Sequence, residues 1–277
     1  MKKTTTILLL LLCTSLAFAQ TKEKIKGSKA VTTKLENLTG FKSIEVGDNL
    51  EIYLEKGESP SLKIEADDNL HDIIATSVKD SVLYLSTTKE AYRFKKMMVY
   101  VTYTNALGLV TAKNEAMINA LQELQLDTLK VKAYNEAKLF LNVNTKNFVL
   151  ETNDKVRTEL NLKSEKGKVI LSQNSFLKAL VKTENFTCDL YQKTTAEIEG
   201  NSTNAKIRLD NNGNFTGRKF SCKNIKLIAE SYSNCSINAE TDISISANGK
   251  SEIQLIGSPK IEMVNFADEV KLFKKTK

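Results

Sequence analysis

The chain has 277 residues, 41% of them hydrophobic and 26% charged, with a formal net charge of +7, no tryptophan and four cysteines. That apolar share excludes a disordered chain, and so few cysteines exclude a disulfide scaffold. The charges of both signs are interspersed along the sequence, which excludes the clustered basic footprint of a nucleic-acid binder.

Residues 1–19 read as a secretory signal. Lys2 and Lys3 form a positive start, Ile7 to Leu12 a short apolar core, and Ala17-Phe18-Ala19 a small-residue cleavage site. The apolar run is too short to span a membrane, and no second run of spanning length follows. Cys13 would suit lipidation only if a small residue preceded it, and Leu12 stands there instead. Cleavage after Ala19 removes Lys2 and Lys3 and leaves 38 Lys/Arg against 33 Asp/Glu, a net of +5. Export to the periplasm, the outer membrane or the exterior is the expected location.

Residues 20–39 are polar and rich in lysine and threonine without a sustained period, and read as a flexible leader. From residue 40 to 105 an N-terminal sheet region is expected. Leu50, Ile52 and Leu54 alternate with Glu51, Tyr53 and Glu55; after a Lys56-Gly57 turn, Leu62, Ile64 and Ala66 face the same way. That pattern predicts a hairpin. Asp67-Asp68-Asn69 starts a short helical turn pinned by Leu70, Ile73 and Ile74. Val82–Leu85 and Met97–Tyr103 are further strands, and Tyr92-Arg93-Phe94-Lys95-Lys96 between them an exposed loop.

Residues 106–265 carry a repeat. Val110-Thr-Ala-Lys-Asn114, Val131-Lys-Ala-Tyr-Asn135, Val149-Leu-Glu-Thr-Asn153 and Ile170-Leu-Ser-Gln-Asn174 recur at spacings of 18 to 21 residues. The pattern degenerates through Arg208-Leu-Asp-Asn-Asn212 to Ser244-Ile-Ser-Ala-Asn248. A strand-and-turn period of this length predicts an all-β solenoid, a right-handed parallel β-helix with coils of about 19 residues. Asparagine tolerates positive φ at a corner, so Asn114, Asn135, Asn153 and Asn174 are expected to stack as an amide ladder. Cys188 and Cys222 sit in similar settings two coils apart, about 10 Å at the spacing of stacked strands. That exceeds the reach of a disulfide, so both read as small buried hydrophobes, with Cys235 at another phase. Residues 266–277 form a basic tail whose lysines discourage edge-to-edge growth.

Several segments carry a family resemblance. Gly40-Phe41 through Val46 and Leu54-Glu-Lys-Gly57 form an opening strand pair; Ile64 through Leu70 and Val78 through Leu83 follow; Val99 through Tyr103 leads to Leu107-Gly108-Leu109; and Ile256-Gly257-Ser258-Pro259 makes a closing turn. In these the chain resembles the auto-transporter adhesins with a head GIN domain, secreted proteins common in Bacteroidetes. The resemblance implies a β-helical fold, export and an adhesive or binding role, and it carries over no site residues. No barrel-like segment follows the last coil, so self-export is not expected.

The chemistry is thin. His71 is the lone histidine and has no second ligand at metal spacing, so neither a metal nor a cofactor is expected. No Gly-x-Ser-x-Gly elbow or phosphate loop is present. An enzyme on this scaffold, a polysaccharide lyase or hydrolase, would draw on Arg208 and Asp210 with Asp189 one coil away, and on Asp154 or Glu199. Outward Tyr134, Phe140, Tyr191 and Tyr232 would stack on sugar rings if one face collected them. Asp80-Ser81-Val82 and Asp127-Thr128-Leu129 match a short O-glycosylation pattern. The sequence thus points to a non-catalytic exported envelope protein that binds glycans or surface proteins. The alternatives are the enzyme and a periplasmic structural or stress accessory protein.

Overall fold

Each coil is a long bent strand closed by a tight turn, and the turn explains the period. In the computed structural model, which describes residues 22–275, paired left-handed residues recur at one corner: Asn114/Glu115, Asn135/Glu136, Asp154/Lys155, Gln173/Asn174, Gln192/Lys193 and Asn211/Asn212, all with φ between 49° and 67°. Backbone bonds tie each corner to the next, Glu136 N donating to Asp154 O (2.9 Å) and Lys155 N to Gln173 O (2.9 Å). The result is a parallel β-helix with about nine turns some 19 residues apart, preceded by a sheet region. The expected signal segment lies outside the described residues.

The N-terminal region holds β1 (Lys24–Lys26), β2 (Val31–Asn37), β3 (Ser43–Val46), β4 (Glu51–Lys56), β5 (Ser61–Asp67), a 3-10 turn (Asp68–Ile73), β6 (Ile74–Lys79), β7 (Val82–Thr87), β8 (Glu90–Tyr92) and β9 (Met97–Tyr103). The coils follow as β10 (Leu109–Ala112), β11 (Met117–Tyr134), β12 (Lys138–Asn153), β13 (Arg157–Leu171) and β14 (Phe176–Tyr191). They continue through β15 (Thr195–Asp210), β16 (Asn214–Ala229), β17 (Asn234–Ala247), β18 (Glu252–Ile256), β19 (Lys260–Phe266) and β20 (Lys271–Lys275). Each long strand has a first arm, a bend and a second arm; in β12 the arms meet at Lys146, which has no ladder partner. First arms stack on first arms and second on second from β11 to β17, in register apart from local shifts after Ala120, Glu197, Gly217 and Cys222.

The N-terminal strands extend both arms. On the first-arm side the order runs β11, β4, β9, β5, β2; on the second-arm side it runs β10, β3, β7, β6. The predicted hairpin between 50–55 and 62–66 therefore does not form. β9 enters between the two strands, parallel to β4 and antiparallel to β5. The expected flexible leader (20–39) is also corrected, since β1 pairs with β8 and β2 covers β5 over seven residues. The expected tail (266–277) contains β20, which continues the first-arm stack on β18.

Inside, side chains alternate in size from coil to coil. Phe148, Gly167, Phe186, Ala205 and Ile225 occupy one column. Large rings thus fill the space that Gly167 and Ala205 leave, which is how a stack about 4.8 Å apart holds phenylalanine at all. A second column, Thr145, Ser164, Thr183, Ser202 and Cys222, lies under the bend. There Thr183 Oγ1 bonds Ser202 Oγ (3.1 Å), and Ser202 Oγ donates to Asn204 O (2.9 Å). The three described cysteines are free and buried. They occupy three different columns, so Cys188 and Cys222 are not equivalent as their local sequences implied. Burial pushes the Cys222 thiol up to about 11.

The 3-10 turn buries Leu70 and Ile73 as expected, but Asp67 does not cap it. Fully buried Asp67 instead accepts backbone bonds from Lys29 N (2.8 Å), Lys95 N (3.1 Å) and Lys96 N (3.0 Å). Burial alone would raise its pKa; the donors from Lys29, Lys96 and Lys95 outweigh that and hold the carboxyl below the usual range.

Candidate ligand-binding faces

Because the stack is in register, each outward position becomes a column along the solenoid. On the first-arm side one such column reads Lys63, Tyr100, Tyr53, Asn119, Phe140, Glu159, Lys178 and Glu197, with Asn119 buried between Tyr53 and Phe140. Tyr53 and Tyr100 stack with ring centroids 5.1 Å apart, and Lys63 Nζ lies 3.9 Å above the Tyr100 ring. Tyr53 donates its hydroxyl to Glu51 Oε1 (2.7 Å), and Asn119 Nδ2 donates to the same oxygen (3.2 Å). That hydrogen bond, with burial second, pushes the Tyr53 hydroxyl up to about 12, so it stays a donor at neutral pH. The column joins aromatic rings to charged groups on rigid strands, a mixture suited to stacking and hydrogen bonding with sugars.

Beside Phe140 the face is concave. A shallow depression of about 620 Å³ lies over Phe140, Asn142, Asn161, Lys178, Leu180 and Glu199. Leu180 is 53% exposed there, between the outward lysines Lys178 and Lys182 of the same strand. Asn161 Nδ2 donates to Asn142 Oδ1 (3.1 Å), which orients both amides. A second hollow of about 890 Å³ adjoins it toward the bend, lined by Gln125, Asn144, Lys163, Lys182 and Asn201 among others. Together they give one continuous face across β12 to β15.

The residues singled out from sequence are scattered by comparison. Of the four aromatics, only Phe140 joins the first-arm column. Tyr134 and Tyr191 share a second-arm column three coils apart, and Tyr232 follows the left-handed corner residue Ser231. Asp189 and Arg208 are register partners, as are Tyr191 and Asp210, so the structure does bring this group together. Its charges are partly paired: Arg208 Nη2 pairs with Glu230 Oε2 (3.0 Å) and Ser231 Oγ donates to Asp210 Oδ1 (2.9 Å), while the buried Arg208 Nε has no partner among the described residues. Asp154 is a corner residue, and Glu199 pairs with Lys219 (3.1 Å). His71 meets Thr32 Oγ1 through Nε2 (2.9 Å). Among the described residues no group of three or more His, Cys, Asp and Glu could hold a metal.

The expected ladder of Asn114, Asn135, Asn153 and Asn174 is half formed. Asn135 Nδ2 donates to Asn114 Oδ1 (3.0 Å), but Asn153 falls one residue before its corner, and Asn174 takes the second corner position. A different ladder, unseen in the sequence, runs down the second arm. Asn224 Nδ2 donates to Asn204 Oδ1 (2.9 Å) and Asn204 Nδ2 to Asn185 Oδ1 (3.0 Å).

The family described as "Putative auto-transporter adhesin, head GIN domain" matches the sequence twice, over residues 40–155 and 149–259. Three solved structures share the fold. A "putative adhesin" from Parabacteroides distasonis ATCC 8503 superposes with a TM-score of 0.68 at 15% identity, covering 91% of this chain and 100% of that one. Another "putative adhesin", from Parabacteroides merdae ATCC 43184, gives 0.60 at 18% identity, covering 92% and 98%. A "putative lipid binding protein" from P. distasonis ATCC 8503 gives 0.57 at 15%, covering 91% and 97%. Among curated proteins, no sequence matches.

Proposed function

This chain belongs to the head GIN domain family of auto-transporter adhesins, and from that premise we propose that it is an exported, non-catalytic binding protein of the cell envelope. Its first-arm face takes glycan chains. The observation that carries this reading is the set of rings Tyr100, Tyr53 and Phe140 on one side of the first arms, with the hollow over Asn142, Asn161 and Leu180 beside Phe140. Rings spaced along a rigid axis suit a polymer that presents sugar faces in sequence, and fixed amides suit its hydroxyls. Export rests on the signal-like residues 1–19.

The test is a printed array of bacterial and host glycans probed with the protein and with a Tyr53→Ala/Phe140→Ala variant. Wild type should retain a subset of glycans, and the variant should bind them about tenfold more weakly, given the worth of two aromatic contacts. A Tyr232→Ala control should bind like wild type. An array with no retained glycan, or a variant that binds as tightly as wild type, would overturn the reading. The enzyme alternative finds less support, because Arg208 and Asp210 are occupied by Glu230 and Ser231.

A further inference from the structure

We propose that the outward second-arm face of β13 to β16 is a separate binding strip for acidic polysaccharide. In the sequence the lysines look evenly spread. Stacking collects them: Lys168, Thr187, Lys206 and Lys226 fall in one column, and Lys166 heads the neighbouring one above Asn185, Asn204 and Asn224. All four lysines are exposed.

Some coil lysines pair with carboxylates, as in Lys130–Glu151 (2.6 Å), Lys146–Asp127 (2.9 Å), Lys155–Glu136 (2.6 Å) and Lys219–Glu199 (3.1 Å). Others, such as Lys163 and Lys182, do not among the described residues; the strip gathers four of the unpaired ones on one face. Lys166, Lys168, Lys206 and Lys226 make no ion pair among the described residues. Lys206 and Lys226 are direct register partners on adjacent strands, a like-charge arrangement that costs stability unless a counter-charge lies over it. The acidic groups around the strip sit at its margins: Glu165 and Glu184 at the bend, Asp189 beside Arg208, and Asp242 one coil beyond Asn224.

The groups between the lysines are donors as well. Asn204 and Asn224 each give one N–H to the amide oxygen of the preceding asparagine and keep the second for solvent or ligand, and Asn185 at the end of the ladder accepts through its oxygen. Thr187 lies between Lys168 and Lys206. The strip thus offers ammonium, amide and hydroxyl donors in two adjacent columns over three coil spacings, about 14 Å. That geometry fits a single extended chain bearing carboxylate or sulfate groups. No aromatic side chain lies on it to stack unpaired bases, and its width is one strand pair rather than a duplex.

The experiment titrates the full chain with heparin, polygalacturonate, neutral dextran and duplex DNA, each fluorescently labelled, at about 50 and about 200 mM NaCl. Heparin or polygalacturonate should bind at the lower salt and lose more than about tenfold in affinity at the higher, as four neutralised cations require. Dextran should not bind. Lys206→Glu/Lys226→Glu should weaken binding at least tenfold. Lys26→Glu/Lys79→Glu, which removes the same charge from exposed positions in the N-terminal strands, should change it little. Failure to bind either polysaccharide, binding to DNA alone, or equal loss in both variants would overturn the proposal. Because the glycan reading is tested on Tyr53 and Phe140, the two can fail separately.

Discussion

Replacing Gly200 by alanine should cost about 3 kcal/mol or more and lower the Tm by about 6–12 °C. Gly200 has φ +109°, a backbone conformation in which any Cβ is strained. A Cβ there would stand 2.0 Å from the Val181 carbonyl oxygen and 2.9 Å from its carbon. The obstacle is the backbone of the preceding coil, so no side-chain rotation relieves it. The register between β15 and β16 also shifts between Glu197 and Gly200, which makes this glycine the point where one coil is fitted to the next. Gly47, with nothing within 4 Å of an added Cβ, is the control, and Gly47→Ala should stay within about 0.5 kcal/mol of wild type. Thermal melts of the two variants decide the matter, and equal Tm values would refute the strain at Gly200.

Replacing Asp67 by alanine should destabilise the N-terminal sheets by about 3 kcal/mol, because three backbone N–H groups lose their acceptor and a fully buried site is emptied. Those groups belong to Lys29, Lys95 and Lys96, so one carboxylate ties the segment before β2 and the segment before β9 to the end of β5. Its lowered folded-state pKa fixes the pH dependence. The stabilisation is fully present above the unfolded value of about 3.9 and is lost as pH falls through the lower folded value. Urea titrations should therefore show a gap between wild type and Asp67→Asn at pH 7 that narrows below about pH 4. A gap that stayed constant to pH 2 would show that the carboxylate's charge plays no part.

The coils were legible because two local signals coincide in them, alternation along the arms and left-handed residues at the corner. What depended on pairing across distance was not. Leu50–Leu54 and Leu62–Ala66 look like a hairpin because nothing local reveals that Met97–Tyr103 inserts between them. β2 hides for another reason: it is an edge strand exposed along nearly all its length, so its composition carries no buried stripe. Both proposed faces escape the sequence for the same reason. Tyr53, Tyr100 and Phe140 lie far apart in the sequence and meet only through the β4–β9 and β4–β11–β12 ladders. The lysines of the basic strip occur about once per coil, which reads as even spacing until the coils stack. Period and alternation specify the scaffold, whereas register decides which outward residues become neighbours.

The proposal that the protein is exported and binds through its side faces is tested most directly by protease shaving of intact native cells, with mass spectrometry of the released peptides. Peptides from residues 106–265 should be released while the outer membrane is closed, placing both faces where extracellular glycans can reach them. Release only after that membrane is opened would contradict adhesion to external partners and confine the protein to the periplasm.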